Sequence, residues 1–517
     1  GQERLTKNMG RPFNNRALLP WIMGSVYFLV LSFCAVLRVA RGGVGVSDLA
    51  IFHSAFLMTF KERFYFTYLH PEGCLFFQHF DPIIMFILPF YAVLGKYAWP
   101  VLPISQAFAF GLAFPALHKI TRMDGVKSVW AYFLLALMFF SPVIHNILMY
   151  DFHPFVFSFP LLLWGWVFLT EGRNVKGYAC WGLALMCKEN VSLTVAALGL
   201  SLFLGKRRKV GLIWTGAGLA YFVIVMGVLL PSFREIGRGN VYLSRYTWLG
   251  GTTAEMARTI LLHPYHVLKV LTSDTSRLAF IENLLLPLGL LPLFAPRRLL
   301  AVLPEITILL LSSFSAMHEI KFHYPAALMA VLFIAASGGL SSLIAKKAKK
   351  DNEANLCPPR QYWRKRLALL LCLLAAVFTF RTLYREDRAW PLRQNRREGY
   401  YRKETRSVSI DKMGQLIPSD STLSLPLNLL NPTFPFVERS LIAFLPDRAR
   451  VADYVIFDLK TRYFGGHKEE GLDDLLAAMK SDKVHEIVFK EEGFIVLHRK
   501  GISQINMGEK RRAWREY

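Results

Sequence analysis

Five uncharged apolar runs, residues 18–37, 98–117, 129–150, 210–230 and 324–344, each approach or exceed the ~20 residues that cross a bilayer as a helix. Nothing constrains the chain more. A soluble core has no use for so many long runs, and only 19% of the 517 residues are charged, against about a quarter in soluble domains. The first run has basic flanks and lacks a small-residue cleavage site, so it is expected to stay as a span. The chain reads as a polytopic membrane protein.

Its net charge of +24, from 61 Lys and Arg against 37 Asp and Glu, would suggest nucleic acid as partner in a soluble protein. Here the basic residues bunch between apolar runs, as membrane topology requires, and there is no basic–aromatic module to bind nucleic acid. Nucleic acid is therefore excluded as a partner. The six cysteines form no CxxC pair, so neither a disulfide framework nor a zinc site follows.

Alternation of basic clusters and apolar runs predicts about eleven crossings, with the N-terminus (Arg4, Lys7, Arg11, Arg16) in the cytoplasm. Residues 177–204 are expected to make two short passes, broken on the outer side by Lys188-Glu189-Asn190. Residues 83–94 are too short to span and are expected to lie in the interface. Three regions face outward: 38–99, 231–277 and the tail from 385. The organisation expected is a transmembrane domain, 1–384, whose outer loop 38–99 carries amphipathic helices, and an extracytoplasmic α/β domain, 385–517. In that tail, 451–459 reads as a buried strand, 472–479 as an amphipathic helix, and 485–490 with 494–499 as a hairpin turning at Glu491-Glu492-Gly493.

Polar residues gather at the outer ends. Asp48 follows the first span and opens an amphipathic run; it is either a general base with a raised pKa or a helix cap. His79 and Asp81 precede Pro82 under the same two readings. Between spans three and four stand His145, Asn146, Asp151 and His153, whose spacing matches no strong metal-ligand pattern. Lys188-Glu189 is the sharpest signal, because a charged pair inside an apolar stretch is costly unless it pairs or binds something. Neighbours on a helix point apart, which favours an anionic ligand for Lys188. Arg234, Arg238, Arg245, Lys321 and His323 lie on the same side, where a phosphate would explain a cluster of cations.

These motifs, Ser47-Asp48-Leu49-Ala50-Ile51-Phe52, His79-Phe80-Asp81-Pro82, Lys188-Glu189-Asn190, Ser244-Arg245-Tyr246, His263-Pro264 and Phe322-His323-Tyr324, resemble a family of bacterial and archaeal membrane proteins catalogued as domain of unknown function 2079. That family has a small polar residue where Asp81 stands. It is similar in turn to the GT-C superfamily of integral membrane glycosyltransferases. The resemblance implies an α-helical GT-C-like fold in the cytoplasmic (inner) membrane and an inverting transfer of a sugar from a polyprenyl-phosphate carrier on the outer face. The acceptor would be a glycan, lipid or protein, with membrane lipids as further partners. It maps the catalytic acid onto Asp48, loosely a further acid onto Asp151, and the phosphate-binding Lys onto Lys188, although Glu189-Asn190 replaces the usual Gly-Pro. The candidate catalytic residues are then Asp48, Asp151 and His79, and the phosphate ligands Lys188, Arg245, Lys321 and His323. His153, Glu189 and Tyr324 stand close by in sequence as further site residues. No cofactor is required, though a divalent metal is compatible with the chemistry. The rival reading is a transporter or lipid flippase with a charged site at mid-membrane.

Overall fold

A computed structural model describes residues 15–42, 47–61, 63–67, 69, 74–233, 241–344, 358–385, 405–437, 442–445, 448–460, 463–464, 467–468 and 471–501. The principal helices are α1 (Asn15–Ala40), α2 (Ser47–Lys61), α3 (Val101–Gly111), α4 (Ala113–Met123), α5 (Ser128–Phe139), α6 (Pro142–Tyr150), α7 (Ser158–Glu171), α8 (Asn174–Leu185), α9 (Val191–Phe203), α10 (Arg208–Ile224), α11 (Leu303–Leu311), α12 (Ala326–Ile344), α13 (Pro358–Arg385), α14 (Ser407–Leu416) and α15 (Leu472–Ser481).

Among the described residues, seven helical stretches are long and apolar enough to cross a membrane: 18–40, 101–123, 128–150, 154–171, 208–232, 326–344 and 362–385. The other expected crossings take a different form. Helices α8 and α9 have 12 and 13 residues, and at about 1.5 Å per residue they fall short of a ~30 Å hydrocarbon layer. Residues 278–316 are cut by Pro287, Pro292, Pro296 and Pro304 into short α and 3-10 pieces, since proline removes a donor and clashes with the preceding turn. Apolar length alone could not separate these broken segments from full spans.

Helix α12 is the centre of the bundle. It is apolar on every face, and 78% of its membrane-length window is buried, against 17% for the window containing α10. Close crossings use paired glycines. A Cβ on Gly24 of α1 would collide with the carbonyl of Gly111 of α3, and one on Gly199 of α9 with the backbone of α10.

The C-terminal sheet contains β1 (Leu423–Leu425), β2 (Ile442–Phe444), β3 (Tyr454–Asp458), β6 (His485–Glu491) and β7 (Phe494–Arg499), in the order β2-β1-β3-β7-β6; β4 (Tyr463–Phe464) and β5 (His467–Lys468) form a separate ribbon. Strand β1 is parallel to its neighbours, whereas β3, β7 and β6 run antiparallel. Glu492 and Gly493 both adopt positive φ, as a two-residue hairpin turn demands. Alternation sorts the core: Val455 and Phe457 pack on Leu476 and Met479 of α15, while Ile456 and Val496 join the cluster around Ile410 and Met413 of α14. Ala50 of α2 belongs to that second cluster, and the Asn431 amide donates to the Val39 carbonyl at 3.1 Å. The sheet is thereby anchored to the helix that carries Asp48.

Candidate active site

Helix α2 begins at Ser47, soon after α1 ends at Ala40, and its first backbone N–H groups need acceptors from outside. Asp151 supplies them. Following the extended turn that ends α6, its carboxylate accepts from the Asp48 amide at 2.8 Å, the Leu49 amide at 3.0 Å and the Phe152 amide at 2.9 Å. Burial and then the neighbouring Asp48 push the Asp151 carboxyl well up from its ordinary value, against the opposing pull of Arg38 and these amides. Gln106 of α3 fixes the same turn, donating to the Asp151 carbonyl at 3.0 Å and accepting from the His153 amide at 2.7 Å. Because a distant residue caps α2, the side chain of Asp48 need not, and its carboxylate lies 3.3 Å from His153 Nε2.

His153 stacks on His323, with ring centroids 3.4 Å apart and planes 16° from parallel. Tyr150 flanks both rings at 5.8 Å. Burial, then His153 and Lys188, hold His323 well below the ordinary imidazole value, so this ring is neutral near pH 7.

The break between α8 and α9 sends three consecutive side chains in three directions. Glu189 reaches the first loop, meeting His79 Nδ1 at 2.7 Å and accepting from the Phe80 amide at 3.2 Å. Asn190 donates to Glu305 of α11 at 2.8 Å. Lys188 lies 5.4 Å over the Phe155 ring and, among the described residues, makes no hydrogen bond or ion pair. Burial lowers its pKa, with Glu189 and Glu305 acting the other way. Among the described residues its ammonium has no ion-pair partner, although Glu189 and Glu305 act on it from a distance.

Arg245 sits on a 3-10 segment, Val241–Leu249, held against α11 by Tyr246 Oη to the Ile308 carbonyl (2.9 Å) and by Trp248 Nε1 to the Leu311 carbonyl (2.8 Å). Its guanidinium lies 4.6 Å from the Phe314 ring centroid.

These elements enclose a cavity of about 350 Å³ lined by Asp48, His79, His153, Lys188, Arg245, His323 and Tyr324 among others. A smaller recess of about 100 Å³ shares Lys188, Arg245 and Tyr324 and adds Glu189 and Glu305. The structure thus brings nearly all the candidate residues to one place. Two are elsewhere. Asp151 is behind the start of α2, bonded to the Asp48, Leu49 and Phe152 amides, and is not among the lining residues. Lys321 pairs with Glu319 and is not among the lining residues. His145 is likewise remote, bonded to the Phe139 carbonyl; Arg234 and Arg238 lie outside the described residues. Sequence reasoning did not place Tyr65 and Glu305 at the site, although Glu305 is an acid within the apolar run 299–316 and satisfies the criterion that marked Lys188. Among the described residues no three His, Cys, Asp or Glu side chains are grouped to hold a metal.

Fold and cavity together define a multi-pass helical membrane protein with a charged, histidine-rich cavity at one end of its bundle and a small C-terminal sheet beside it. The chain belongs to the family of predicted membrane proteins DUF2079, whose family model matches residues 45–474. No curated protein matches its sequence. Among solved structures it is similar to ArnT from Cupriavidus metallidurans bound to undecaprenyl phosphate, at 14% identity and a TM-score of 0.47 over 92% of this chain and 97% of that one.

Proposed function

We propose that this protein is an inverting membrane glycosyltransferase that moves a sugar from a polyprenyl-phosphate carrier to an acceptor hydroxyl on the outer face of the cytoplasmic membrane. The observation that carries this reading is the shared cavity: a carboxylate, Asp48, faces the same space as two cations, Lys188 and Arg245. A half-buried ammonium with no ion pair among the described residues is stabilised by an anionic ligand, and the phosphate of a lipid carrier has that chemistry.

Roles follow from position. Asp48, oriented by His153, takes the proton as the acceptor oxygen attacks the anomeric carbon. The carbon–oxygen bond to phosphate breaks on the opposite face, and its electron pair leaves with the polyprenyl phosphate. Negative charge grows on that phosphate in the transition state, where Lys188 and Arg245 stabilise it most. Such a leaving group needs no proton, so one carboxylate suffices, unlike the paired acids of glycoside hydrolysis.

The test is release of polyprenyl phosphate by the full chain in nanodiscs, supplied with polyprenyl-phosphate glucose, mannose and galactose and a membrane-extract acceptor. Asp48→Asn should lower turnover by about 10²–10⁴-fold without changing the unfolding temperature. Turnover retained by a folded Asp48→Asn protein would remove the base and, with it, this mechanism.

A further inference from the structure

One wall of the cavity is not used by the transfer chemistry. Asp81 lines it, yet the residue is only 5% exposed. Its Oδ2 accepts the Tyr65 hydroxyl at 3.1 Å, whereas Oδ1 is buried without a hydrogen-bond partner among the described residues. Capping does not account for it: Asp81 precedes the 3-10 turn Pro82–Phe86, but its side chain makes no cap bond there.

Tyr65 reinforces the point. It is wholly buried and has φ +52°, a left-handed backbone unfavourable for an aromatic residue. The strain is held from both sides, by Thr59 Oγ1 accepting from the Tyr65 amide at 2.9 Å and by the Leu75 amide donating to the Tyr65 carbonyl at 3.0 Å. A strained tyrosine therefore orients a carboxyl group whose second oxygen is buried without a partner among the described residues. Buried polar atoms are almost always bonded, so something else completes this pair.

The chemistry of the missing group can be narrowed. Burial pushes Asp81 well above the ordinary carboxylate range, with Glu189 acting the same way and Tyr65 and Lys188 opposing. With Oδ2 already accepting from Tyr65, the unpartnered Oδ1 calls for a group that can donate a hydrogen bond to it. A phosphate presents mainly acceptors and is better served by Lys188 and Arg245. An alcohol presents the donor that this oxygen lacks.

We infer that Asp81, oriented by Tyr65, is the specificity residue that reads a hydroxyl of a sugar bound in the cavity. The assignment of a sugar rests on the transfer reading above. The hydroxyl belongs either to the donor's sugar or to a sugar acceptor, and the experiment separates these.

The full chain in nanodiscs is titrated with bare polyprenyl phosphate, with the same lipid bearing glucose, mannose or galactose, and with the free methyl glycosides of these sugars. If the hydroxyl is the donor's, at least one glycosylated lipid binds wild type tighter than the bare lipid does. Asp81→Leu then lowers that ratio by roughly tenfold, the worth of one lost hydrogen bond, with bare-lipid affinity unchanged. Asp81→Asn, which keeps an acceptor oxygen, retains the ratio. If the same pattern appears only with methyl glycosides, the hydroxyl is the acceptor's. Tyr65→Phe, which frees Oδ2, gives a second reading should Asp81→Leu fail to fold. The inference is overturned if no probe separates Asp81→Leu from wild type, or if Asn loses as much as Leu. Bare-lipid binding indifferent to Lys188→Met would instead sink the transfer reading, with the methyl-glycoside comparison still deciding the role of Asp81.

Discussion

The two ends of the helical bundle handle buried charge in opposite ways. At the end formed by the close of α4 and α12, Asp124 accepts from Arg298 through both oxygens, at 2.5 and 2.6 Å, and from Ser337 at 2.6 Å. Arg298 also donates to the Ile334 carbonyl at 2.9 Å and lies 5.3 Å from the Trp166 ring centroid. At the cavity end, Lys188 has no ion pair, and Asp81 Oδ1, His153 Nδ1 and His323 Nδ1 are buried without hydrogen bonds, among the described residues. A closed network ties helices together. An open one is tolerated where a ligand completes it.

The comparison breaks most visibly if the closed end proves dispensable. Asp124→Ala leaves the largely buried Arg298 guanidinium without its carboxylate, a loss approaching the cost of removing one partner from a buried pair, about 3–5 kcal/mol. Thermal unfolding in detergent should show a large loss of stability, while the affinity of whatever protein remains folded for a polyprenyl phosphate stays at the wild-type level. An Asp124→Ala protein as stable as wild type would erase the distinction between the two ends.

Glu189 belongs to the cavity end and yet is well partnered, so it tests whether structure and function overlap there. Burial alone would raise its pKa, but His79 and Lys188 bring it down to about 2 from 4.5. His79 is itself lowered by burial and Lys188, so near neutrality it is a neutral hydrogen-bond partner to the carboxylate, and the stabilisation is discounted to on the order of 2 kcal/mol. A depressed carboxylate stabilises the fold above its unfolded pKa and loses that contribution as pH falls. The stability gap between wild type and Glu189→Gln should therefore be full above about pH 5 and close between about pH 4.5 and pH 2. A gap independent of pH would show that Glu189 acts by shape rather than by charge.

Lys188→Met sharpens the contrast in the other direction. Replacing a half-buried ammonium that has no ion pair among the described residues with an apolar chain of similar length should leave the unfolding temperature unchanged or raise it. Affinity for a polyprenyl phosphate should fall by about tenfold or more, the scale of a charge-assisted hydrogen bond. A Lys188→Met protein that is destabilised but binds normally would make the lysine structural.

How far the sequence revealed this arrangement depends on the range of the signal. Spans such as α1 and α12 announce themselves through local apolar length. Lys188 stands out because charge inside an apolar run is rare whatever surrounds it, and Asp48 because it follows directly on a span. Lys321 carried the same sign and bordered His323, but sequence could not foresee Glu319 neutralising it from two residues away. Tyr65 and Asp81 were illegible as a pair: the geometry that joins them depends on a left-handed tyrosine, which no residue preference predicts. The prolines of 278–316 stand in plain view in the sequence, but how they cut the apolar run into short helical pieces is not legible from its length.

Asp151 is the subtlest case, because an acid near the proposed base, Asp48, invites a catalytic reading. Its contacts to the Asp48, Leu49 and Phe152 amides are those of a cap supplied from another part of the chain. Asp151→Asn keeps one oxygen but presents an amide donor where amide donors already point, and should cost about 1 kcal/mol, the usual worth of a cap. If Asp151 only positions α2, turnover should fall modestly with its pH profile unchanged, since the group that takes the proton is still Asp48. If Asp151 shared the proton with Asp48, the variant would shift the acid limb of that profile. The pH–rate curve of Asp151→Asn therefore distinguishes a helix cap from a second catalytic acid, even where the loss of activity is small.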